Sequence, residues 1–430
     1  MKRKIESRLL EWKNNSTDRM PLILNGARQV GKTYILREFG ERYYKNVVYV
    51  NLETNTVVAS YFNEDIAPEK IIQFLEATVN MEIVPGETLV ILDEIQTCER
   101  ALTALKYFCE EAPAYHITAA GSLLGVAVNR EKYSFPVGKV NTLTMYPLDF
   151  EEFLWAMEEN LLCNEIKDCY RQMNPMVEGL HQKAIEQYRM YLIIGGMPAA
   201  IKGFLKNKKL LDVPNVQSEI LNNYSADMAK YATNADSVKI RACFNSIPAQ
   251  LAKENRKFQY KVVKKGGTSS IFGVSIEWLF LAGIVLKCQK VEHGYEPIAT
   301  YADLSAFKLY MGDVGLLVMK SGLSHQTVLS GADNTFMGAV TENYVAQQLV
   351  AKNENLHYWE SDYLAELDFV IQRSDGVYAI EVKKGEHIKS KSLTIFRNKY
   401  NPEAAIRFSL KNFGETDQVK SIPLYAVFCL

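Results

Sequence analysis

Short runs of apolar, strand-forming residues alternate with helical patterns in the first third of the sequence. The helical segments between the runs carry apolar residues at every third or fourth position, which is the spacing of an amphipathic helix. Strands and helices that alternate in this order favour a parallel sheet with helical crossovers. The runs are LILN (22–25), VVYVNLE (47–53), TLVILDE (88–94), YHITAAGS (115–122) and VNTLTMYP (140–147).

The pattern changes after this region, and we predict three further segments. Acidic helical stretches such as DFEEFLWAMEEN, followed by the turn IIGGMPAA, indicate a helical lid or connector. In the next, mainly helical region, IVLKCQKV and a glycine-containing turn predict a short hairpin, as in a helix-turn-helix with a β wing. The end of the chain returns to mixed helix and strand patterns, which predicts a second, smaller α/β domain. The predicted domains are 1–147, 148–212, 213–330 and 331–430.

The composition is that of an ordinary folded protein, because 48% of the residues are hydrophobic and 23% are charged. The formal net charge of -1 gives no general attraction to nucleic acid or anionic membranes, so such binding requires a local basic patch. The seven cysteines include no CxxC pair, and we expect reduced thiols. A charged N-terminus and the lack of an apolar stretch of roughly 20 residues predict a cytoplasmic protein without a membrane segment.

The segment GARQVGKT matches the pattern GxxxxGK[ST] between a predicted strand and a predicted helix. Its glycines let successive backbone N–H groups face a phosphate, and the following helix directs the positive end of its dipole at the same anion. We expect Lys32 to reach the β and γ phosphates of ATP and Thr33 to supply a hydroxyl ligand to Mg²⁺. The predicted nucleotide-binding residues are Gly26, Ala27, Arg28, Gln29, Val30, Gly31, Lys32 and Thr33.

Two carboxylates follow the apolar strand LVIL. We expect Asp93 to hold the magnesium shell and Glu94 to orient or deprotonate the attacking water. Ser122 follows another predicted strand and is a candidate sensor of the γ phosphate, with a helix-capping serine as an equally weighted alternative. Glu53 also lies at a strand end, where a solvated acid is the favoured interpretation. The predicted catalytic residues are Glu94, Lys32 and Ser122.

These motifs resemble the AAA-type P-loop ATPases that form two-part bacterial and archaeal proteins with a C-terminal domain of unknown function. The resemblance implies an α/β protein with an AAA core, a winged-helix region and a restriction-endonuclease-like end domain. In the N-terminal part it is carried by GARQVGKT, LVILDEIQ, ITAAGSLLG and YPLDFEEFL. In the C-terminal part it is carried by IGGMP, NNYSADMAKYA, IPAQLAKENRKFQY, FKLYMGDVGLL, GAVTENYVAQQL, AELDFVI and AIEVKKG.

One departure from this family concerns the arginine finger. AAA relatives usually supply it near the turn before the YPL strand, but here that turn carries Lys139, and Arg130 lies a few residues earlier. A lysine is a poorer bidentate charge clamp than an arginine. Ring formation and other homo-oligomerisation therefore stay open.

The acids of the end domain follow an order that resembles the PD-(D/E)XK nucleases, with Leu367 in place of the proline. Glu342 lies on a predicted helix, Asp368 on a strand, and Glu381 and Lys383 on one face of the next strand, since side chains alternate. Such carboxylates can hold a second Mg²⁺ or Mn²⁺ that activates water for phosphodiester hydrolysis. The alternative is a retained fold whose acids are salt-bridge partners on a solvated face.

Two functions remain open. In the first, an ATPase controls, through its nucleotide state, a nuclease-like end domain that acts on or binds DNA or RNA. The basic stretches 253–265 and 383–411 support this hypothesis, although solvated faces give the same pattern. In the second, the protein is an ATP-gated interaction module whose inert end domain binds a protein partner. A small-molecule kinase is disfavoured, because the adjacent Asp93 and Glu94 suit water activation.

Overall fold

The computed structural model describes residues 1–122, 136–230, 232–361, 365–385 and 391–430. The chain forms two compact units. The N-terminal unit consists of Lys2–Tyr146 with Leu281–Gly283, and the C-terminal unit of Met1, Pro147–Phe280 and Ile284–Leu430. Among the described residues, no helix is long and apolar enough to cross a membrane.

A parallel sheet of five described strands lies at the centre of the N-terminal unit, in the order β2-β3-β4-β1-β5. All neighbouring strands run parallel, which confirms the α/β prediction. β3 is buried along its whole length, as expected for a central strand covered on both faces. The strands are β1 (Leu22–Asn25), β2 (Asn46–Asn51), β3 (Thr88–Asp93), β4 (His116–Ala120) and β5 (Asn141–Thr144).

Apolar residues of three helices of the N-terminal unit, α3, α4 and α5, form one core cluster with residues of the sheet. Ile23, Val90 and Leu92 from the strands belong to the same core cluster as Phe62 and Leu105 from the helices. Since the core fixes the strands, the residues at their carboxyl ends are held at one edge of the sheet. The described helices of the unit are α1 (Ile5–Asn14), α2 (Lys32–Tyr43), α3 (Thr56–Glu64), α4 (Pro68–Val79) and α5 (Glu99–Glu111), with a short 3-10 helix at Ile95–Thr97.

The C-terminal unit begins with a largely helical segment, and further helices lie between its strands. The described helices of the whole unit are α6 (Phe150–Ala156), α7 (Asn160–Gln172), α8 (Glu178–Ile194), α9 (Pro198–Asn207), α10 (Val213–Lys230), α11 (Asn234–Leu251), α12 (Tyr260–Val263), α13 (Ser269–Leu281), α14 (Val314–Ser321), α15 (His325–Ser330), α16 (Met337–Ala351) and α17 (Lys391–Tyr400). Short 3-10 helices lie at Leu210–Asp212, Ile298–Tyr301 and Leu424–Cys429.

The same unit contains a mixed sheet of eight described strands, in the order β12-β13-β11-β10-β9-β8-β6-β7. β10, β11 and β13 pair in parallel, as do β6 and β8, whereas the β8–β9 and β9–β10 pairs are antiparallel. The predicted mixed α/β character is therefore confirmed. The strands are β6 (Val285–Val291), β7 (Ala302–Met311), β8 (His357–Glu360), β9 (Glu366–Arg373), β10 (Gly376–Val382), β11 (Ala404–Ser409), β12 (Gly414–Thr416) and β13 (Val419–Pro423).

The predicted hairpin corresponds to β6 and β7, which pair antiparallel and form one edge of this sheet beside β8. Strands from both sides of the boundary predicted at residue 330 thus share one sheet, because β6 pairs directly with β8. The division into four domains stays a prediction.

Helix α16 is buried on nearly all sides, although its sequence carries several polar residues. Buried polar groups need hydrogen-bond partners. The Asn343 side chain accepts a hydrogen bond from the Met311 N–H at 2.7 Å and donates one to the Met311 carbonyl oxygen at 3.0 Å. The Gln347 side chain accepts one from the Val314 N–H at 2.9 Å. These bonds fix α16 and thereby the position of Glu342 on it.

Candidate nucleotide site and the charged centre of the C-terminal sheet

The loop from Gly26 to Lys32 connects β1 to α2 through positive φ angles. Gly26 has a φ of 140°, Gln29 of 67° and Gly31 of 99°. A Cβ at Gly26 would lie 2.1 Å from the carbonyl oxygen of Met145, so only glycine fits there. The loop therefore has the backbone geometry that turns successive N–H groups toward one anion.

Lys32 is only 8% exposed, and its ammonium is held by the loop itself. Nζ donates to the carbonyl oxygens of Gly26 at 2.8 Å and Ala27 at 2.9 Å. Burial lowers the pKa of Lys32 to about 8, and the charges of Glu94 and Asp93 offset part of that effect. Both hydrogen-bond partners are neutral, so the ammonium can exchange them for phosphate oxygens.

Asp93 is buried at the end of β3 and accepts three hydrogen bonds. Its Oδ2 accepts from Thr33 Oγ1 at 2.8 Å and from the Tyr49 hydroxyl at 2.9 Å. Its Oδ1 accepts from the Glu94 N–H at 3.0 Å. The structure thus brings together Thr33 and Asp93, the two residues predicted to hold Mg²⁺.

Tyr49 is a site residue that the sequence interpretation missed. It lies on β2, where Asn51 is in register with Asp93 of β3. Burial, with the hydrogen bond to Asp93, raises the pKa of the Tyr49 hydroxyl, which therefore stays a donor at neutral pH. The alternation along VVYVN places Tyr49 and Asn51 on one face of β2, but it does not give the register of β2 against β3 that brings Tyr49 to Asp93.

Glu94 follows Asp93 with a φ of 52°, a left-handed conformation that is uncommon for a glutamate. Its Oε2 accepts a hydrogen bond from the Gln96 amide. Ser122 lies just beyond β4, is buried, and its Oγ has no hydrogen-bond partner within the described part of the chain. A buried hydroxyl without a partner is costly, so this oxygen suits contact with a bound polar group.

Of the two residues considered for the place of an arginine finger, Lys139 and Arg130, the structure describes only Lys139. Lys139 Nζ lies 3.0 Å from Glu110 Oε1, in a partly exposed ion pair. Arg130 lies outside the described residues.

In the C-terminal unit, the carboxylate of Glu342 is occupied by other side chains. Glu342 Oε1 accepts hydrogen bonds from Lys308 Nζ at 3.1 Å and from the Tyr310 hydroxyl, and Oε2 accepts from Arg256. Lys308 Nζ also lies 2.6 Å from Glu366 Oε1. We call Glu342, Lys308, Tyr310, Arg256 and Glu366 the charged centre.

Asp368 and Glu381 lie on the neighbouring strands β9 and β10. Asp368 Oδ2 accepts from the Val382 N–H at 2.7 Å. Glu381 pairs with Lys383 at 2.9 Å and has Arg407 Nε at 3.7 Å from its Oε2. The structure brings Glu381 and Lys383 together. Within the described ranges, however, it contains no group of three or more His, Cys, Asp or Glu side chains that could hold a metal.

The basic stretches are partly used inside the molecule. In 253–265, Arg256 pairs with Glu342 and Lys257 with Glu360. In 383–411, Lys384 pairs with Asp333 at 2.5 Å. These cations have intramolecular partners, which reduces the positive charge left for nucleic acid.

Comparisons with known proteins divide the chain in three. Residues 18–154 match a family model described as an AAA domain, residues 185–327 a domain of unknown function (DUF8612), and residues 337–427 another domain of unknown function (DUF4143). A search of curated proteins finds no match.

Several solved structures are similar to this chain at low sequence identity. The Walker-type ATPase PABY2304 of Pyrococcus abyssi is 15% identical, with a TM-score of 0.43 over 74% of this chain and 95% of that chain. The ORC2 protein of Aeropyrum pernix, in its ADPNP and ADP complexes, is 13% identical, with a TM-score of 0.33 over 78% and 90%. DnaA from Aquifex aeolicus, bound to AMPPCP, is 12% identical, with a TM-score of 0.31 over 65% and 89%.

The AAA-domain match and the parallel sheet agree with the loop geometry. Residues 18–154, which match the AAA-domain model, contain the parallel five-stranded sheet and the loop between β1 and α2, and this match supports ATP binding. The matches to the C-terminal unit assign it no function.

Proposed function

We propose that the protein is a Mg²⁺-dependent ATPase whose P-loop site lies in the N-terminal unit. The observation that carries the proposal is the contact between Thr33 Oγ1 and Asp93 Oδ2, 2.8 Å apart, beside the buried ammonium of Lys32. A hydroxyl and a carboxylate oxygen in this position are the two protein ligands that Mg²⁺ takes in P-loop sites. The donor set therefore fits the metal and the triphosphate.

The chain's own residues have separate roles in hydrolysis. The N–H groups of Gly26–Thr33 and the ammonium of Lys32 bind the phosphates, with Lys32 exchanging its carbonyl partners for phosphate oxygens. Thr33 and Asp93 orient the metal, and Tyr49 holds Asp93 by its hydroxyl. When bound, Mg²⁺ neutralises charge on the phosphate oxygens.

Glu94 is the proposed general base. Its carboxylate follows Asp93 directly, so that it can accept a proton from the water that attacks the γ phosphate. The hydrogen bond from Gln96 orients this carboxylate. Ser122 is the proposed sensor, since its buried Oγ is available to donate to a phosphate oxygen or to the water.

Replacing the base tests this mechanism. Glu94→Gln keeps size and hydrogen bonding but cannot take the proton, so phosphate release should fall about 100-fold or more while ATP binding is kept. The matched control is Glu99→Gln, an exposed acid in the first turn of α5, which should hydrolyse ATP as the wild type does. Normal turnover by Glu94→Gln would remove Glu94 from the mechanism.

We further propose that the nucleotide state controls the C-terminal unit. The resemblance suggests a restriction-endonuclease-like sheet and a winged-helix region in this unit, with DNA, RNA or a protein as partner. Two activities of this unit are compared, namely cleavage of a nucleic acid and binding of a partner without cleavage, and we favour binding without cleavage. It is supported by the occupied carboxylate of Glu342, which leaves the set Glu342, Asp368, Glu381 and Lys383 poorly suited to a second Mg²⁺ or Mn²⁺.

A cleavage assay distinguishes the two functions. Purified protein is incubated with single- and double-stranded DNA and RNA in Mn²⁺, with and without ATP, beside an Asp368→Ala, Glu381→Ala double variant. We expect no difference between wild type and variant. Cleavage by the wild type that the double variant lacks would instead establish the nuclease function.

A further inference from the structure

The charged centre leaves neither oxygen of Glu342 open to a metal. Oε1 is bonded by Lys308 and Tyr310, and Oε2 by Arg256. Mg²⁺ would have to lie roughly 2.0–2.1 Å from a ligand oxygen. At that distance it would meet the ammonium or the guanidinium that is already bonded to the same oxygen, and like charges repel.

The ammonium of Lys308 bridges two carboxylates. Its Nζ lies 3.1 Å from Glu342 Oε1 and 2.6 Å from Glu366 Oε1, so it links the helix α16 to the strand β9. Lys308 and Glu342 are each only 1% exposed. A buried ammonium is stable only when it is paired, and here two carboxylates share it.

The charges of the charged centre balance those of Asp368, Glu381, Lys383 and Arg407 without a metal, when the two sets are counted together. The cations are Arg256, Lys308, Lys383 and Arg407, four in number, and the carboxylates are Glu342, Glu366, Asp368 and Glu381, also four. A bound divalent cation would add two uncompensated positive charges to a mostly buried region. Such an excess of buried charge carries a desolvation cost that no carboxylate offsets.

We infer that Lys308 takes the place of a divalent cation in the C-terminal sheet, so that this unit is held by a metal-independent ion network and binds neither Mg²⁺ nor Mn²⁺. The inference goes beyond the proposed ATPase function and does not depend on it. It also gives the lysine a definite task, which is to hold Glu342 and Glu366 close together.

The test uses the nucleotide-free full-length protein. Bound Mn²⁺ is counted by electron paramagnetic resonance, and thermal unfolding is followed in EDTA and in millimolar Mn²⁺. Wild type should bind no more Mn²⁺ than Asp368→Asn does, and it should unfold at the same temperature in EDTA and in Mn²⁺. One Mn²⁺ per chain, with binding lost in Asp368→Asn, would overturn the inference.

A variant without the lysine sharpens the result. Lys308→Met leaves the buried carboxylate of Glu342 and the half-buried carboxylate of Glu366 without their bridging cation, so the midpoint of thermal unfolding in EDTA should fall by roughly 5 to 10 °C. Millimolar Mn²⁺ should reverse part of that loss, since the metal then replaces the missing charge. A plain packing defect would not respond to Mn²⁺.

The control is Lys287→Met, on the adjacent strand β6, where Nζ lies 5.1 Å from the Phe307 ring centroid. It should show no response to Mn²⁺. If Lys308→Met fails to fold, Lys308→Arg is used instead, because it keeps the positive charge and should fold without Mn²⁺. The number of Mn²⁺ ions bound by the wild type then still decides whether the unit holds a metal. An unchanged midpoint in Lys308→Met would contradict the bridging role.

Discussion

The two units each contain a buried lysine close to carboxylates and a tyrosine, but they use these residues differently. In the N-terminal unit, Lys32 donates to backbone carbonyls, while Asp93 accepts from the hydroxyls of Thr33 and Tyr49. In the C-terminal unit, Lys308 lies directly against the carboxylates of Glu342 and Glu366.

The difference decides which group can bind a ligand. A cation with neutral partners can exchange them for phosphate at little cost, because no ion pair is broken. A cation inside an ion pair can leave only by exposing a buried carboxylate, which costs several kcal/mol. The same residue types therefore give a ligand site in one unit and a structural centre in the other.

The largest expected effect concerns the loop backbone. Gly26→Ala places a Cβ 2.1 Å from the Met145 carbonyl oxygen at a φ of 140°, so we expect ATP affinity to fall by about 100-fold or more and stability by roughly 3 kcal/mol. Calorimetric titration measures the ATP affinity, and thermal unfolding measures the stability.

Gly86→Ala is the control, since nothing lies within 4 Å of a Cβ added at Gly86. It should lose only about 1–2 kcal/mol of stability and no affinity. Wild-type affinity in Gly26→Ala would contradict the loop geometry.

The next effect is the pH dependence of ATP binding. In the free protein the pKa of Lys32 is lowered to about 8, so the ammonium is increasingly neutral as the pH rises above 8. ATP binds the charged form, and its affinity should therefore decrease by up to about tenfold per pH unit above 8.

The stability of the nucleotide-free protein should change in the opposite direction over this range. The pKa of Lys32 is lower in the folded protein than in the unfolded chain. The contribution of Lys32 to the free energy of unfolding therefore rises with pH between about 8 and 10.5. Lys32→Met should lack both responses. The same slopes in the variant would assign them to another group.

A smaller effect is expected at Tyr49. Tyr49→Phe removes one of the donors that hold Asp93 Oδ2, so the Mg²⁺ concentration for half-maximal hydrolysis should rise by about tenfold or less. The effect is measured as the rate of ATP hydrolysis at increasing Mg²⁺ concentration and saturating ATP.

Tyr61→Phe is the matched control, because the Tyr61 hydroxyl makes only a 3.4 Å hydrogen bond to the Lys70 carbonyl oxygen. A variant that needs no more Mg²⁺ than the control would exclude Tyr49 from the site.

Much of the N-terminal unit could be predicted because its signals are local. Each apolar run became a strand of the parallel sheet, and the P-loop pattern contains its own glycines at the turns that need positive φ. Tyr49 was missed because its contact with Asp93 depends on the register of β2 against β3, which no local pattern gives.

The charged centre could not be predicted for the same reason. Alternation correctly placed Glu381 and Lys383 side by side. It could not show that Lys308 and Arg256, far from Glu342 in sequence, would occupy the carboxylate assigned to a metal. Those contacts arise only when α16 packs against β7, which carries Lys308, and against the segment between α11 and α12, which carries Arg256.

The most direct test of the account is a calorimetric titration of ATP with Mg²⁺ into wild type, Lys32→Met and Lys45→Met. Lys45 is an exposed lysine of the same unit, paired with Glu87 at 2.6 Å. We predict one ATP per chain for wild type and Lys45→Met with equal affinity, and a loss of about 100-fold in Lys32→Met, because the charge-assisted bonds to the phosphates are removed. Equal affinity in all three proteins would contradict the P-loop site.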